Sequence, residues 1–330
     1  MVGVASSVVS PRPSTVRAAT FLDYIQQQSP WEQELLEHID LSDDPFSVGW
    51  ALSSGIRGVS DGSVWLKTWG AFGWILSDDQ GSKKAEGMGP APGARPNSYR
   101  SEAYGMLSLL CFLRRLHEFT GQCEPWVGTL ATDSQSLLDT IKGHSPQPED
   151  QPVFAADDQW TDTEQWPLEE LSPEWDVVQN IRQLLVTMPH ITLEYVRGHQ
   201  DRRIRYRFLP LTAQLNVDAD SRANLFQTSY GGPRPIAPLT DVAGVHLIFP
   251  SGTVTANYTA AIRYQATYKP LLTHIRQHYG WSEATVQTVN WKAHGCSIRK
   301  NIQKKSHVVK LVQGLLPTNH KEHRKEAFDK

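Results

Sequence analysis

Apolar and polar positions along the chain fall into short alternating runs separated by longer stretches of helical period. "GVSDGSVW", "WGAFGWILSDD" and "KKAEGMGPAP" predict three successive strands. A helix of strong apolar period is expected over about 98–119, then a strand at "WVGTLATDS" and a helix at "SQSLLDTIKG". "PEWDVVQNIRQLLVTM", with Pro173 near its start, predicts another helix and "HITLEYVRGH" another strand. A last helix carries "LNVDADSRAN" and closes near Phe226. The order β-β-β-α-β-α-α-β-α implies a mixed α/β layer fold with helices packed on the sheet. Upstream, "SPWEQELLEHID" reads as a short helix with Ser29 as N-cap and Pro30 at its first position. Downstream, "VHLIFPSGTVTA" suggests a hairpin, and 258–314 two or three basic helices.

These elements divide the chain into a disordered or targeting leader (1–28), a short helical lead-in (29–54) and an α/β domain (55–227) with an acidic, Pro-rich insertion at about 145–173. A Gly/Pro linker (228–240) and a basic, mainly helical appendage (241–330) follow. At 330 residues, with eleven Trp and 39% hydrophobic residues, the chain can bury a real core. No apolar run approaches the roughly 20 residues of a bilayer span, so no membrane partner is expected. Three cysteines without a CxxC pair argue against a disulfide framework or a zinc ribbon. With no secretory core, an intracellular location is expected, in nucleus, cytoplasm or an organelle.

Charge is segregated although the net value is only -3. Residues 148–176 hold ten carboxylates and no Lys or Arg, whereas 261–330 hold thirteen Lys/Arg against four Asp/Glu. "RGHQDRRIRYR", 197–207, packs five arginines around His199, and Arg202 and Arg203 head a basic stretch suited to a polyphosphate partner.

Three acids sit where packing alone would not put them. Glu102 starts the apolar stripe of Met106, Leu109 and Leu113, and a buried unpaired carboxylate is costly. Asp133 ends a strand, at the rim where open α/β sheets place ligands. Asp61 is followed by Gly62 and Ser63, which let backbone approach a phosphate. Taken singly, each also suits a turn, a cap or a first helical turn. Together, carboxylates from separate elements suit Mg²⁺, two ions of which, about 4 Å apart, can stabilise both attacking and leaving oxygens.

The ordered series "SDGS", "YRSEAYG", "ATDSQSLL", "YVRGHQD" and "LNVDADSRAN" resembles the ribonuclease H type 1 family over about 55–227. Within it, the series is most similar to ribonuclease H domains of retroelement reverse transcriptases. The resemblance implies a ribonuclease H-like five-stranded mixed sheet flanked by helices, two Mg²⁺ ions replaceable by Mn²⁺, and an RNA–DNA hybrid as substrate. It also implies Asp61, Glu102, Asp133 and Asp220 as metal-holding catalytic acids, and His199 as a loop histidine that helps protonate or release product. Helix period leaves Asp218 and Asp220 both open, because they flank the stripe Ala219, Ala223 and Phe226. The family pattern of Asn, two variable positions, a small residue and Asp selects Asp220, leaving Asp218 as a first-turn acid favoured by the helix dipole.

The sequence departs from the family where Ser98, Tyr99 and Arg100 replace polar residues that read the sugar edge, although hydroxyls there can still meet 2′-OH groups. An acidic stretch also stands where some members carry a basic protrusion. Two further readings are a non-cleaving hybrid-binding module on the same fold, and a transposase or integrase; the "YRSEAYG" and "RGHQD" motifs disfavour the latter. The appendage is expected either to bind other nucleic acid or to pack as ordinary helices. Oligomeric state has no sequence signal.

Overall fold

The computed structural model describes residues 3–6, 18–66, 68–142, 172–240 and 245–290. The chain folds as two compact units, 1–258 and 259–330.

In the first unit the alternating segments form long strands, β3 (Ile56–Trp65), β4 (Trp69–Asp78) and β5 (Lys83–Ala91), paired antiparallel in sequence. Two shorter strands, β6 (Gly128–Thr132) and β7 (Ile191–Tyr195), add parallel on the other side of β3. The order β5-β4-β3-β6-β7 is the expected five-stranded mixed sheet. A sixth strand, β2 (His38–Leu41), pairs antiparallel with β5 at the edge. The lead-in is therefore not purely helical. Its helix α2 (Pro30–Leu35) starts at Pro30 as predicted but ends before His38, and α3 (Pro45–Leu52) follows, capped by Asp44 through the backbone N–H groups of Phe46 and Ser47.

One long helix dominates the packing. Helix α4 (Ser98–Thr120) was expected to bury one stripe, yet every residue from Arg100 to Leu113 is buried. The sheet covers one side of α4, and α6 (Trp175–Thr187), α3 and α1 (Phe21–Ile25) contact it from other directions. A helix buried all round needs apolar or small residues on every face, and "AYGMLSLLCFLRRL" supplies them up to the two arginines. Those arginines, Arg114 and Arg115, both pair with Glu32 of α2, which is 1% exposed. Within the stretch expected as a leader, 1–28, the segment Phe21–Ile25 is folded as α1: Thr20 and Asp23 cap it reciprocally, and Phe21 and Ile25 join the core.

On the opposite face lies α7 (Leu211–Ser229), packed on β3 and β4 with Ala213, Ala219, Ala223 and Phe226 buried. The helix begins at Leu211, so Asp218 lies two turns inside it and is not a first-turn acid. The predicted hairpin is present as β8 (Val245–Phe249) and β9 (Gly252–Thr253), and β8 also pairs with β1 (Gly3–Ser6) in a small second sheet. Helix α5 (Gln135–Lys142) follows β6. The acidic stretch 145–173 lies, except for its last two residues, outside the described residues.

In the second unit the expected basic helices are represented by α8 (Tyr258–Arg263), which begins at the boundary, α9 (Lys269–Tyr279) and α10 (Glu283–Thr288). Residues 291–330 lie outside the described residues. Among the described residues no helix is long and apolar enough to cross a membrane.

Candidate metal centre and nucleic-acid interface

The acid cluster follows from unequal strand lengths. Strand β6 ends its pairing with β3 at Thr132, opposite Ser60. One residue further, Asp133 leaves β6 beside Asp61, which still belongs to the longer β3. This makes a rim in the middle of the sheet, at the carboxyl end of β6, where an open α/β sheet can admit a ligand.

Glu102 reaches the rim from α4. Gly62 permits this approach, because a β-carbon there would overlap the Glu102 backbone nitrogen and lie 2.5 Å from the Ser101 carbonyl carbon. The glycine thus lets the first turn of α4 lie directly on β3. Asp61, Glu102 and Asp133 each present an oxygen, and these oxygens lie within 4.8 Å of one another.

Each acid is held by neighbours. Asp61 accepts from the Gly62 backbone N–H at 2.7 Å and from Asn216 Nδ2 at 3.5 Å. Glu102 accepts from Thr132 Oγ1 at 3.2 Å. Asp220, on α7, accepts from Asn224 Nδ2 at 3.0 Å. It stands outside the close triad but near enough for its charge to act on both Asp61 and Asp133.

The electrostatics are those of a site built for positive charge. Burial, then the charges of Asp133 and Asp220, push the Asp61 carboxyl up to about 8. Burial, then Asp61 and Asp133, push Glu102 well above the usual carboxylate range. Asp133 is also raised, mainly by burial, while Glu102 as a hydrogen-bond partner and the nearby His199 ring pull it back. Crowded carboxylates cannot all ionise in a poorly solvated rim, and a divalent cation removes that conflict. The donor set is all oxygen, which suits a hard divalent cation.

His199 lies on the loop after β7, in left-handed conformation at φ 52°, and is exposed. The preceding Gly198 permits close contact with the rim, since a β-carbon there would overlap the Asp133 carboxylate. The structure therefore brings Asp61, Glu102 and Asp133 together at the rim, with Asp220 and His199 close enough to act on it electrostatically.

The expected nucleic-acid contacts divide. Arg202 and Arg203 are exposed on the same loop, and Ser98 is exposed at the start of α4. Ser63 turns toward α7, donating to Gln227 Oε1 at 3.2 Å. Gly62 serves the strand–helix contact described above. Tyr99 is half-buried against the core.

Arg100 is the clear correction. It is 0% exposed and donates to Glu174, Asp176, the Pro92 carbonyl and the Tyr104 hydroxyl. A guanidinium so enclosed cannot meet a phosphate. It ties α4 to the start of α6, and breaking such a buried pair costs about 3–5 kcal/mol. Position next to Glu102 in sequence suggested otherwise, but residues two apart on a helix point to opposite sides.

Sequence reasoning assigned no role to Thr132, Asn216 and Asn224. The signal was present for Asn216, the first residue of the quoted Asn-to-Asp pattern. Thr132 and Asn224 become recognisable only once Glu102 and Asp220 are placed.

No family model and no curated protein matches the sequence. Among solved structures, the chain is similar to LC11 ribonuclease H1 in complex with an RNA/DNA hybrid, at 13% identity and TM-score 0.33, over 52% of this chain and 94% of that one. The N-terminal ribonuclease H domain of Rv2228c from Mycobacterium tuberculosis, a fusion with maltose-binding protein, is similar at 15% identity and TM-score 0.33, over 54% and 96%. The foamy viral protease–reverse transcriptase in complex with double-stranded DNA is similar at 12% identity and TM-score 0.34, over 54% and 95%. Such distant likenesses transfer neither substrate nor activity. By its own strand order, strand directions and helix placement, the first unit of this chain has a ribonuclease H-like fold.

Proposed function

We propose that the chain is a metal-dependent endonuclease that hydrolyses the RNA strand of RNA–DNA hybrids, derived from a retroelement protein. The observation that carries this reading is the meeting of Asp61, Glu102 and Asp133 oxygens within 4.8 Å at the sheet rim, with Asp220 beside them. Structural roles would scatter such acids or pair them with arginine, as Arg100 pairs Asp176.

Asp61, Glu102, Asp133 and Asp220 would hold two Mg²⁺ ions. When bound, the ions supply Lewis acidity and lower the proton affinity of water near the scissile phosphate. Asn216 and Thr132 hold Asp61 and Glu102 in the orientation that presents their free oxygens. His199, exposed beside Asp133, would deliver a proton to the departing 3′-oxygen. The exposed Ser98 hydroxyl would meet the 2′-OH that distinguishes RNA from DNA.

The test is cleavage of an end-labelled RNA–DNA hybrid by purified protein with Mg²⁺, Mn²⁺ or EDTA. Cleavage of the RNA strand should need the divalent ion, and Asp133→Asn should abolish it while hybrid binding persists. Cleavage that survives EDTA, or a wild-type protein inert with either ion, overturns the reading.

A further inference from the structure

The loop that brings His199 to the rim carries more charge than positioning one histidine requires. Between the buried residues Val196 and Leu209 run five arginines, Arg197, Arg202, Arg203, Arg205 and Arg207, with one acid, Asp201. All five are exposed, and every residue from Asp201 to Phe208 is exposed.

Most described arginines elsewhere in this unit are used internally, although Arg57 and Arg95 are exposed. Arg100, Arg114, Arg115, Arg222 and Arg234 each face a carboxylate. None of the five loop arginines makes an ion pair among the described residues. Concentrating unpaired cations on one loop costs self-repulsion, which an external polyanion relieves. Arg207 also stacks over the Phe208 ring at 4.7 Å, an arrangement that leaves the guanidinium edge free to donate.

The loop is anchored. At its start the Val196 backbone N–H donates to the Thr132 carbonyl at 3.0 Å, one residue before Asp133. Near its end the Tyr206 hydroxyl donates to Asp218 Oδ2 at 2.7 Å, and Lys83 of β5 meets the same oxygen at 2.7 Å. Asp218 therefore joins α7, the sheet and the loop. Without a second fixed point, a run of like charges next to an acid cluster would be drawn onto the carboxylates or spread into solvent.

We propose that the arginine loop 197–208 grips the sugar-phosphate backbone of a nucleic-acid duplex, and that Asp218 positions it beside the acid cluster through Tyr206. The assignment rests on the nuclease reading for the identity of the duplex as an RNA–DNA hybrid. Guanidinium forks match phosphate oxygens in pairs. The loop also starts at the rim, so a strand whose phosphodiester sits over the acids continues directly onto the cations.

The experiment uses the full chain carrying Asp133→Asn, in EDTA, so that binding is read without cleavage. Binding of a fluorescent RNA–DNA hybrid is followed by anisotropy from about 50 to 200 mM salt, where log affinity falls against log salt with a slope of about 0.9 per phosphate neutralised. Adding Arg203→Gln, Arg205→Gln and Arg207→Gln together should reduce that slope by about 2 to 3. Tyr206→Phe, which removes only the hydroxyl, should weaken binding several-fold and reduce the slope in the same direction. Both changes are on exposed side chains, and melting curves check that the variants fold.

An unchanged slope in the triple variant overturns the proposal, and so does a preference for polyglutamate over the duplex. A chain that cuts hybrid but keeps its slope loses the loop assignment alone. One that binds through the loop but never cuts loses the nuclease reading alone.

Discussion

Asp218 and Asp220 are two positions apart in α7 and serve different partners. Asp218 meets Lys83 and Tyr206, while Asp220 meets Asn224 and lies near Asp61 and Asp133. Asp220→Asn should therefore lower kcat by orders of magnitude, because it removes charge from the metal-holding set. Asp218→Asn should act instead on KM, raising it as the loop loses its anchor. Steady-state kinetics on matched, folded variants separates the two. Should Asp218→Asn collapse kcat and Asp220→Asn raise only KM, the roles are exchanged. The same crowding has a consequence for stability. Asp61 takes its proton at about 8 in the folded protein against 3.8 as an ordinary aspartate. The folded state then holds more protons than the unfolded one between those values, so this group makes stability fall as pH rises through the window. The loss is on the order of a few kcal/mol. Metal-free Asp61→Asn should accordingly melt higher than wild type at pH 8, with the difference vanishing toward pH 4. A metal-free wild type that melts above the variant at pH 8 would show that Asp61 is not under this repulsion.

At the scale of elements, the site depends on how closely α4 lies on β3. Gly62→Ala would push against the Ser101–Glu102 backbone, which cannot retreat because α1, α3 and α6 contact α4. Overpacking of this kind costs about 1–3 kcal/mol. The substitution should reduce activity well beyond that stability loss, since it displaces Glu102 while Asp61 stays in the sheet. Thermal melting beside kcat measures both, and a variant that loses stability but keeps full activity would mean Glu102 tolerates the shift. The elements themselves were largely legible in the sequence. The strand-like segments within 56–91 and the apolar period of about 98–119 are strong local signals, and the rim position of Asp133 followed from its place after a strand. Strand β2 was not legible, because four residues at a sheet edge are too few to show a period. The true start of α7 was missed although Pro210 directly precedes it, because the Asn-to-Asp pattern points to a start near 215. Arg100 was misplaced because its partners Glu174 and Asp176 lie more than seventy residues away in sequence. Local pattern identifies which faces are buried; it does not identify which buried charge finds which partner.

At the scale of the whole molecule, the excess of positive charge lies in the C-terminal part of the sequence. Thirteen Lys/Arg against four Asp/Glu lie within 261–330, part of a compact unit that begins at Thr259. The linker expected at 228–240 suggests cutting there, but that cut would remove β8 and β9. It would also remove Thr255, whose carbonyl accepts from the Glu174 backbone N–H at 2.7 Å, and Thr253, whose hydroxyl accepts from the Ala237 backbone N–H at 2.9 Å. Ending the chain at Tyr258 keeps those hydrogen bonds and removes the second unit whole. If the appendage is a nucleic-acid arm, the shortened protein should bind hybrid more weakly at low salt and lose part of its salt slope, by about 0.9 for each phosphate the arm neutralised. The arginine loop would then supply what slope is left, so adding the triple Arg→Gln change to the shortened chain should bring it close to flat. Binding that keeps its full slope after truncation identifies the appendage as a helical packing unit and leaves the loop as the principal contact with phosphate.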